Sequence, residues 1–216
     1  MPSDRSLMHA ARALCLAAGL AVSPAMASPI IDPAGDFLPT YTGPKGADLD
    51  VLSAGSTFFG AQYVFNGTFN GPIGSTAGGV YVFGVDRGQG TTRFSAIGSA
   101  VVFDAVVIVN PSGTSSVRDF INNTVTSLAP GAVHIAGASL GVDVAAGLLP
   151  STGFAMDRYT FNLWPRNGLT NVNQIADFAP DNSNLAVDLP EPASLAILGT
   201  GLLAATGLRR RARRLA

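Results

Sequence analysis

The chain has 216 residues, 47% of them hydrophobic and 12% charged, with a formal net charge of −1. That near-neutral value hides an uneven distribution: between Ser28 and Asp188 twelve aspartates face six lysines and arginines, a formal charge of −6, and every other basic residue is an arginine in one of the two tails. An acidic body excludes nucleic acid as a partner, because that partner needs a basic footprint, and the single cysteine, Cys15, excludes a disulfide scaffold.

In chain order, residues 1–27 read as a secretory signal peptide. Arg5 and Arg12 supply a positive n-region, an apolar stretch runs from about Ala13 to Val22, and Pro24 ends the helix. Ala25-Met26-Ala27 has the small-x-small form of a cleavage site and puts the mature start at Ser28. Arg5 and Arg12 are too far apart for a twin-arginine signal. Export therefore runs through the Sec machinery and signal peptidase. Cys15 lies within the apolar stretch, so it leaves with the signal helix.

Residues 28–176 carry the pattern of an all-β domain, with short β-branched and aromatic runs punctuated by Gly, Pro, Asn and Asp. Tyr63, Phe65 and Phe69 alternate with polar residues and predict a half-buried strand, closed by a turn at Asn70-Gly71-Pro72. Val80 to Val85 is apolar on both faces and predicts a central strand, ended by a turn at Asp86-Arg87-Gly88. Val101 to Val109 predicts another strand, interrupted only by Asp104 and Ala105. Short strands follow around His134 and Asp143, and Tyr159, Phe161 and Leu163 alternate in a last one. The expected architecture is a two-sheet antiparallel sandwich, jelly-roll-like, with a closed barrel as the second choice.

Residues 177–189 turn polar and predict a linker towards the membrane. Pro190-Glu191-Pro192 opens the final segment, residues 190–214, in which Ala193 to Leu208 is uncharged and Arg209, Arg210, Arg211, Arg213 and Arg214 form a cluster. A helix over 193–208 spans about 24 Å at 1.5 Å per residue, short of a hydrocarbon core of about 30 Å. Long arginines snorkel to close such a gap. The arginines stay cytoplasmic and orient the body outside the inner membrane.

Pro-Glu-Pro, a short Leu/Gly/Ala-rich helix and a terminal arginine cluster, in that order, resemble the PEP-CTERM sorting signal of Gram-negative bacteria. The resemblance covers Leu189 to Arg214, and Glu191 is the sole glutamate of the chain. It implies that Pro190, Glu191 and Pro192 are recognised by an exosortase, a membrane-embedded processing enzyme, with delivery to the cell surface or the extracellular polymeric (biofilm) matrix. Physically, two prolines flanking Glu191 disfavour helix and hold an extended strip that such an enzyme can grip. A second, shorter resemblance links Asp32-Pro33-Ala34-Gly35-Asp36 and Asp48-Leu49-Asp50 to the opening of extracellular sandwich domains similar to carbohydrate-binding modules. Gly84 to Gly88, Leu163 to Arg166 and Ile175 to Asp181 resemble segments of other exported proteins with this signal.

Catalytic chemistry finds little support. His134 sits between Val133 and Ile135 without a Gly-x-Ser-x-Gly elbow, and zinc-type ligand sets and phosphate loops are missing from the sequence. Twelve aspartates always allow some pair, so a glycosidase pairing carries no information. Calcium is the cofactor that the residues suggest. Asp32, Asp36, Asp48 and Asp50 lie close in sequence, and in a strand residues 48 and 50 would share a face. Trp164, with Arg166 two residues on, is the candidate glycan contact, weighed against a tryptophan that caps the sandwich edge. The leading expectation is a non-enzymatic surface or matrix protein, the alternative a polysaccharide-binding module that is calcium-dependent or not, and the third a hydrolase.

Overall fold

The computed structural model describes residues 29–189, which lie within one compact unit. The signal helix with its cleavage residues Ala25, Ala27 and Ser28 falls outside the described residues. So do Pro190, Glu191, Pro192, the segment 193–208 and Arg209 to Arg214. Among the described residues no helix is long and apolar enough to cross a membrane, and the helical turns are all short 3-10 segments.

Thirteen strands run in chain order: β1 (Ile30–Ile31), β2 (Val51–Phe58), β3 (Gln62–Phe69), β4 (Gly79–Asp86), β5 (Thr91–Thr92), β6 (Val102–Phe103), β7 (Ala105–Val109), β8 (Ser116–Asp119), β9 (Thr124–Ser127), β10 (Val133–Ala136), β11 (Ser139–Ala145), β12 (Thr160–Asn167) and β13 (Leu185–Ala186). They form a five-stranded sheet of order β1-β2-β3-β11-β10 and a six-stranded sheet of order β13-β12-β4-β7-β8-β9, with β5 and β6 as a separate ribbon. Every pairing between these strands is antiparallel. The expected all-β sandwich is therefore what forms.

The core lies between the two sheets. Tyr63 and Phe65 of β3, with Val142 and Val144 of β11, pack against Phe83 and Val85 of β4 and Phe161 and Leu163 of β12. Alternation on β3 turns Tyr63, Phe65 and Phe69 inward, so each aromatic ring meets others from the facing sheet. Phe65 lies 5.3 Å from Phe83 and 5.9 Å from Phe161 between ring centroids, and Tyr63 stacks on Tyr159 at 5.5 Å. Strand β4 is buried along its whole length, because its outer face is covered too. Val80, Val82, Val106 and Trp164 form a second cluster there with Phe94, Phe103, Ile175 and Phe178.

Two expectations are corrected. The run Val101 to Val109 is not one strand: it divides into β6 and β7 at Asp104. The Asp104 carboxylate accepts from Arg87 Nε at 2.7 Å and from Thr152 Oγ1 at 2.6 Å, and that capture bends the chain out of the ladder. Nor are residues 177–189 a linker. Asp177, Phe178 and Ala179 are buried, β13 pairs with β12, and the Asp188 backbone N–H donates to Ser56 O at 2.9 Å. Phe178 and Val187 bury apolar surface that a solvated linker would leave in water.

Arg87 is fully buried at the end of β4. Its guanidinium forks onto Asp119 through two bonds of 2.9 Å, pairs with Asp104, and donates to Pro150 O at 3.1 Å. Truncation would leave two buried carboxylates without their cation, so Arg87→Ala is expected to cost about 3–5 kcal/mol in urea denaturation. Arg87→Lys should recover only part of that, because an ammonium cannot reproduce the fork; full recovery would show that charge alone matters here.

Candidate functional site

Two surfaces of the sandwich carry chemistry. The first lies where the leading and trailing segments of the domain meet on β2. The Asp32 N–H donates to Leu52 O at 3.0 Å, Leu38 N–H to Ala176 O at 2.8 Å and Thr42 N–H to Asn173 O at 3.1 Å. Val51 N–H donates to Asp177 Oδ2 at 2.8 Å. These bonds bring one carboxylate oxygen from each of Asp32, Asp36 and Asp177 within 4.8 Å of one another.

The electrostatics of this cluster are unbalanced. Asp32 is 6% exposed and Asp177 1%. Asp32 Oδ2 and Asp36 Oδ1 are buried and make no hydrogen bond. Among the described residues no lysine, arginine or histidine forms an ion pair with any of the three. Burial first, then the neighbouring charges of Asp36, Asp181 and Asp50, push the Asp32 carboxyl up to about 7. Burial, against a bond from Val51 N–H and reinforced by Asp32 and Asp36, pushes Asp177 up to about 8. Burial raises Asp36 as well. Asp177 is better served, its two oxygens accepting from Val51 and Phe178 N–H at 2.8 Å; three converging carboxylates, two of them with a free buried oxygen, are a donor set for a hard cation.

Of the four aspartates singled out in the sequence, the structure joins Asp32 and Asp36 and sends the other two elsewhere. Residues 47–49 form a 3-10 turn, so 48 and 50 do not share a strand face. Asp48 accepts from Thr76 N–H, Thr76 Oγ1 and Tyr81 OH. Burial works to raise its pKa, but the bonds from Thr76 and Tyr81 hold it below the ordinary range. Asp50 supports the site from behind: both its oxygens accept from Gly35 N–H at 3.0 Å, and Oδ2 also accepts from Asn70 Nδ2 at 2.9 Å. Gly35 has φ +84°, a left-handed conformation that lets the chain turn between Asp32 and Asp36 at little cost. Asp177 was missed as a ligand because the polar residues after it suggested a linker.

The second surface is the outer face of the six-stranded sheet. Trp164 and Arg166 share that face, but Trp164 is only 1% exposed, boxed by Phe94 and Phe103 at 5.1 Å and Phe178 at 6.0 Å. It is not an open stacking platform. Its indole also occupies the space that a Cβ on Gly84 would need, which explains a glycine in a central strand. Trp164 forms one wall of a cavity of about 280 Å³, with its Nε1 buried and unpaired. Arg93, Arg118 and Arg166 line the same cavity. Arg166 donates to Gly168 O at 2.5 Å and Asn171 O at 2.8 Å, while Arg93 lies 4.3 Å and Arg118 5.1 Å from the Phe120 ring centre. Arg93 and Arg118 come from distant parts of the chain, and only the sheet topology reveals that they join Arg166.

Elsewhere, His134 lies exposed on β10 with Nε2 3.3 Å from Asp143. A shallower depression of about 390 Å³ beside Pro111, Leu128 and Pro130 has no charged residue in its lining.

Residues 188–211 match the PEP-CTERM protein-sorting motif family. The motif implies an exported protein, anchored at its C-terminal side before an exosortase-type enzyme processes it. No curated protein and no solved structure matches the chain.

Stability against pH follows from the carboxylate cluster. Asp32 and Asp177 have higher pKa values folded than at the ordinary value of 3.8, so the folded state holds the extra protons between about pH 4 and pH 8. In chelator, the metal-free protein should therefore lose stability as pH rises through that interval, with a lower thermal midpoint at about pH 8 than at about pH 5. Asp32→Asn should shrink the difference; a midpoint that climbs steadily to pH 8 would contradict the assignment.

Proposed function

We propose that this chain is a non-enzymatic surface or matrix protein, whose sandwich acts outside the cell by binding or by structural association. The observation that carries this reading is the sorting motif, which begins at residue 188. Among the described residues Asp188 is also the last one bonded to the fold through its backbone, with Phe58 N–H donating to its carbonyl at 2.8 Å. The folded domain thus runs directly into the signal without a spacer, as suits a cargo whose tail serves delivery and is then removed. Fractionation of a host with the matching exosortase tests it. Wild-type protein is expected in the surface or matrix fraction without its arginine tail, and Glu191→Ala is expected to stay with the inner membrane and keep it. Identical distribution of the two would contradict the reading.

A second reading, binding of polysaccharide, is favoured by the outer-face cavity. Three guanidiniums and the Phe120, Phe103 and Trp164 rings converge there on a domain of formal charge −6. Among the described residues none of the three arginines is ion-paired to a carboxylate. That chemistry suits a polymer bearing carboxylates, which arginine forks grip and aromatic rings flank. Affinity electrophoresis in alginate against neutral dextran separates the cases. Retardation in alginate alone, weakened about tenfold or more by Arg118→Ala, is expected; no retardation in alginate would remove this reading.

A further inference from the structure

We propose that Asp32, Asp36 and Asp177 bind a divalent cation of the calcium type, and that this ion fastens the first segment of the domain to the last. Two observations carry the site independently of how acidic the region is. Asp32 Oδ2 is buried with no hydrogen-bond partner, on a residue 94% removed from solvent, and Asp36 Oδ1 is buried and unpartnered as well. An ionised carboxylate oxygen in that state is unfavourable unless a proton or a cation meets it. Oxygen ligands lie about 2.3–2.6 Å from calcium, so two of them stand no more than about 5 Å apart across the ion. The three carboxylates converge within 4.8 Å. Carboxylate ligands also favour a hard cation over zinc or copper, which seek nitrogen and sulfur.

The placement gives the ion a task. Asp32 and Asp36 belong to the segment before β2, and Asp177 to the segment before β13. Both segments hydrogen-bond to each other at Leu38 and Ala176, and both rest on β2. Once ionised and without a cation, the three carboxylates push these segments apart; with one, they are drawn together. The described domain contains no cysteine, so a disulfide is not available for that closure. The inference is separate from polysaccharide binding, since the carboxylate cluster and the arginine-lined cavity share no residue.

The test uses the chain from Ser28 to Asp188 beside the full-length protein, stripped with EGTA and held at about pH 9 so that the carboxylates are ionised. Calorimetric titration with calcium chloride alone should show one site per chain, with a dissociation constant in the range of about 0.1 to 1 mM, as for extracellular calcium modules. Saturating calcium should raise the thermal midpoint by about 5 °C or more. Magnesium, which dehydrates reluctantly and wants strict octahedral geometry, should give a smaller shift. Asp36→Asn removes a ligand and a repulsive charge together, so it should abolish the calcium response while leaving the EGTA-treated protein at least as stable as wild type. Calcium should also slow hydrogen exchange at the amides of Leu38 and Ala176. No binding heat and no midpoint shift at 10 mM calcium would overturn the proposal, and so would unchanged affinity in Asp36→Asn. An equal response to magnesium would overturn the calcium assignment.

Discussion

Twelve aspartates share six basic residues in this domain, and most of the structure outside its apolar core can be understood as the answer to that shortage. A buried carboxylate needs a cation or a set of donors. Arg87 serves two, Asp104 and Asp119, and by doing so ties the end of β4 to the starts of β7 and of the loop after β8. Hydroxyls and backbone N–H groups serve Asp48, and Asp86 accepts from Gly88 and Gly90 N–H at 2.9 and 2.8 Å. Asp32 and Asp36 keep a buried oxygen that the chain leaves without a donor, and they stand with Asp177, which has only backbone donors, at the closure of the domain.

The same economy explains the other charged surface. Arg93, Arg118 and Arg166 are not spent on aspartates; they line a cavity on the outer face of the six-stranded sheet. The cavity exists because the loop carrying β5 and β6 and the segment 168–180 fold over that face and bury Trp164. An acidic domain that gathers three of its unpaired cations on one aromatic surface has a local field opposite to its net charge, which steers anionic ligands there. Calcium closure and polyanion binding would both be served outside the cell, where the sorting motif implies that the protein is sent.

The sequence was legible where side chains alternate over a single buried face. β3, β4 and β12 carry aromatic and β-branched residues at the expected positions, and two stacked sheets follow from them. β2 was not legible, because Ser53, Gly55, Ser56 and Thr57 dilute its apolar pattern, and β9 is an exposed edge strand without a buried residue. Asp32 and Asp36 could be read as a ligand pair from their spacing, whereas Asp177 lies more than 140 residues away and enters only through the fold. One local signal pointed to it: Asp177 interrupts the apolar run Ile175, Ala176, Phe178 and Ala179, and a charge inside such a run is a buried charge. Arg87 was hidden for the opposite reason, since Asp86-Arg87-Gly88 has the composition of a solvated turn.

An exported domain whose two ends are closed by an ion outside the cell is tested in one spectrum by native mass spectrometry of the protein recovered from the exterior of its host. The expected species is a chain that starts at Ser28, lacks Arg209 to Arg214 and carries a single calcium ion, which EGTA removes. A chain that keeps its arginine tail, or one that is free of metal when taken from calcium-containing medium, would contradict it.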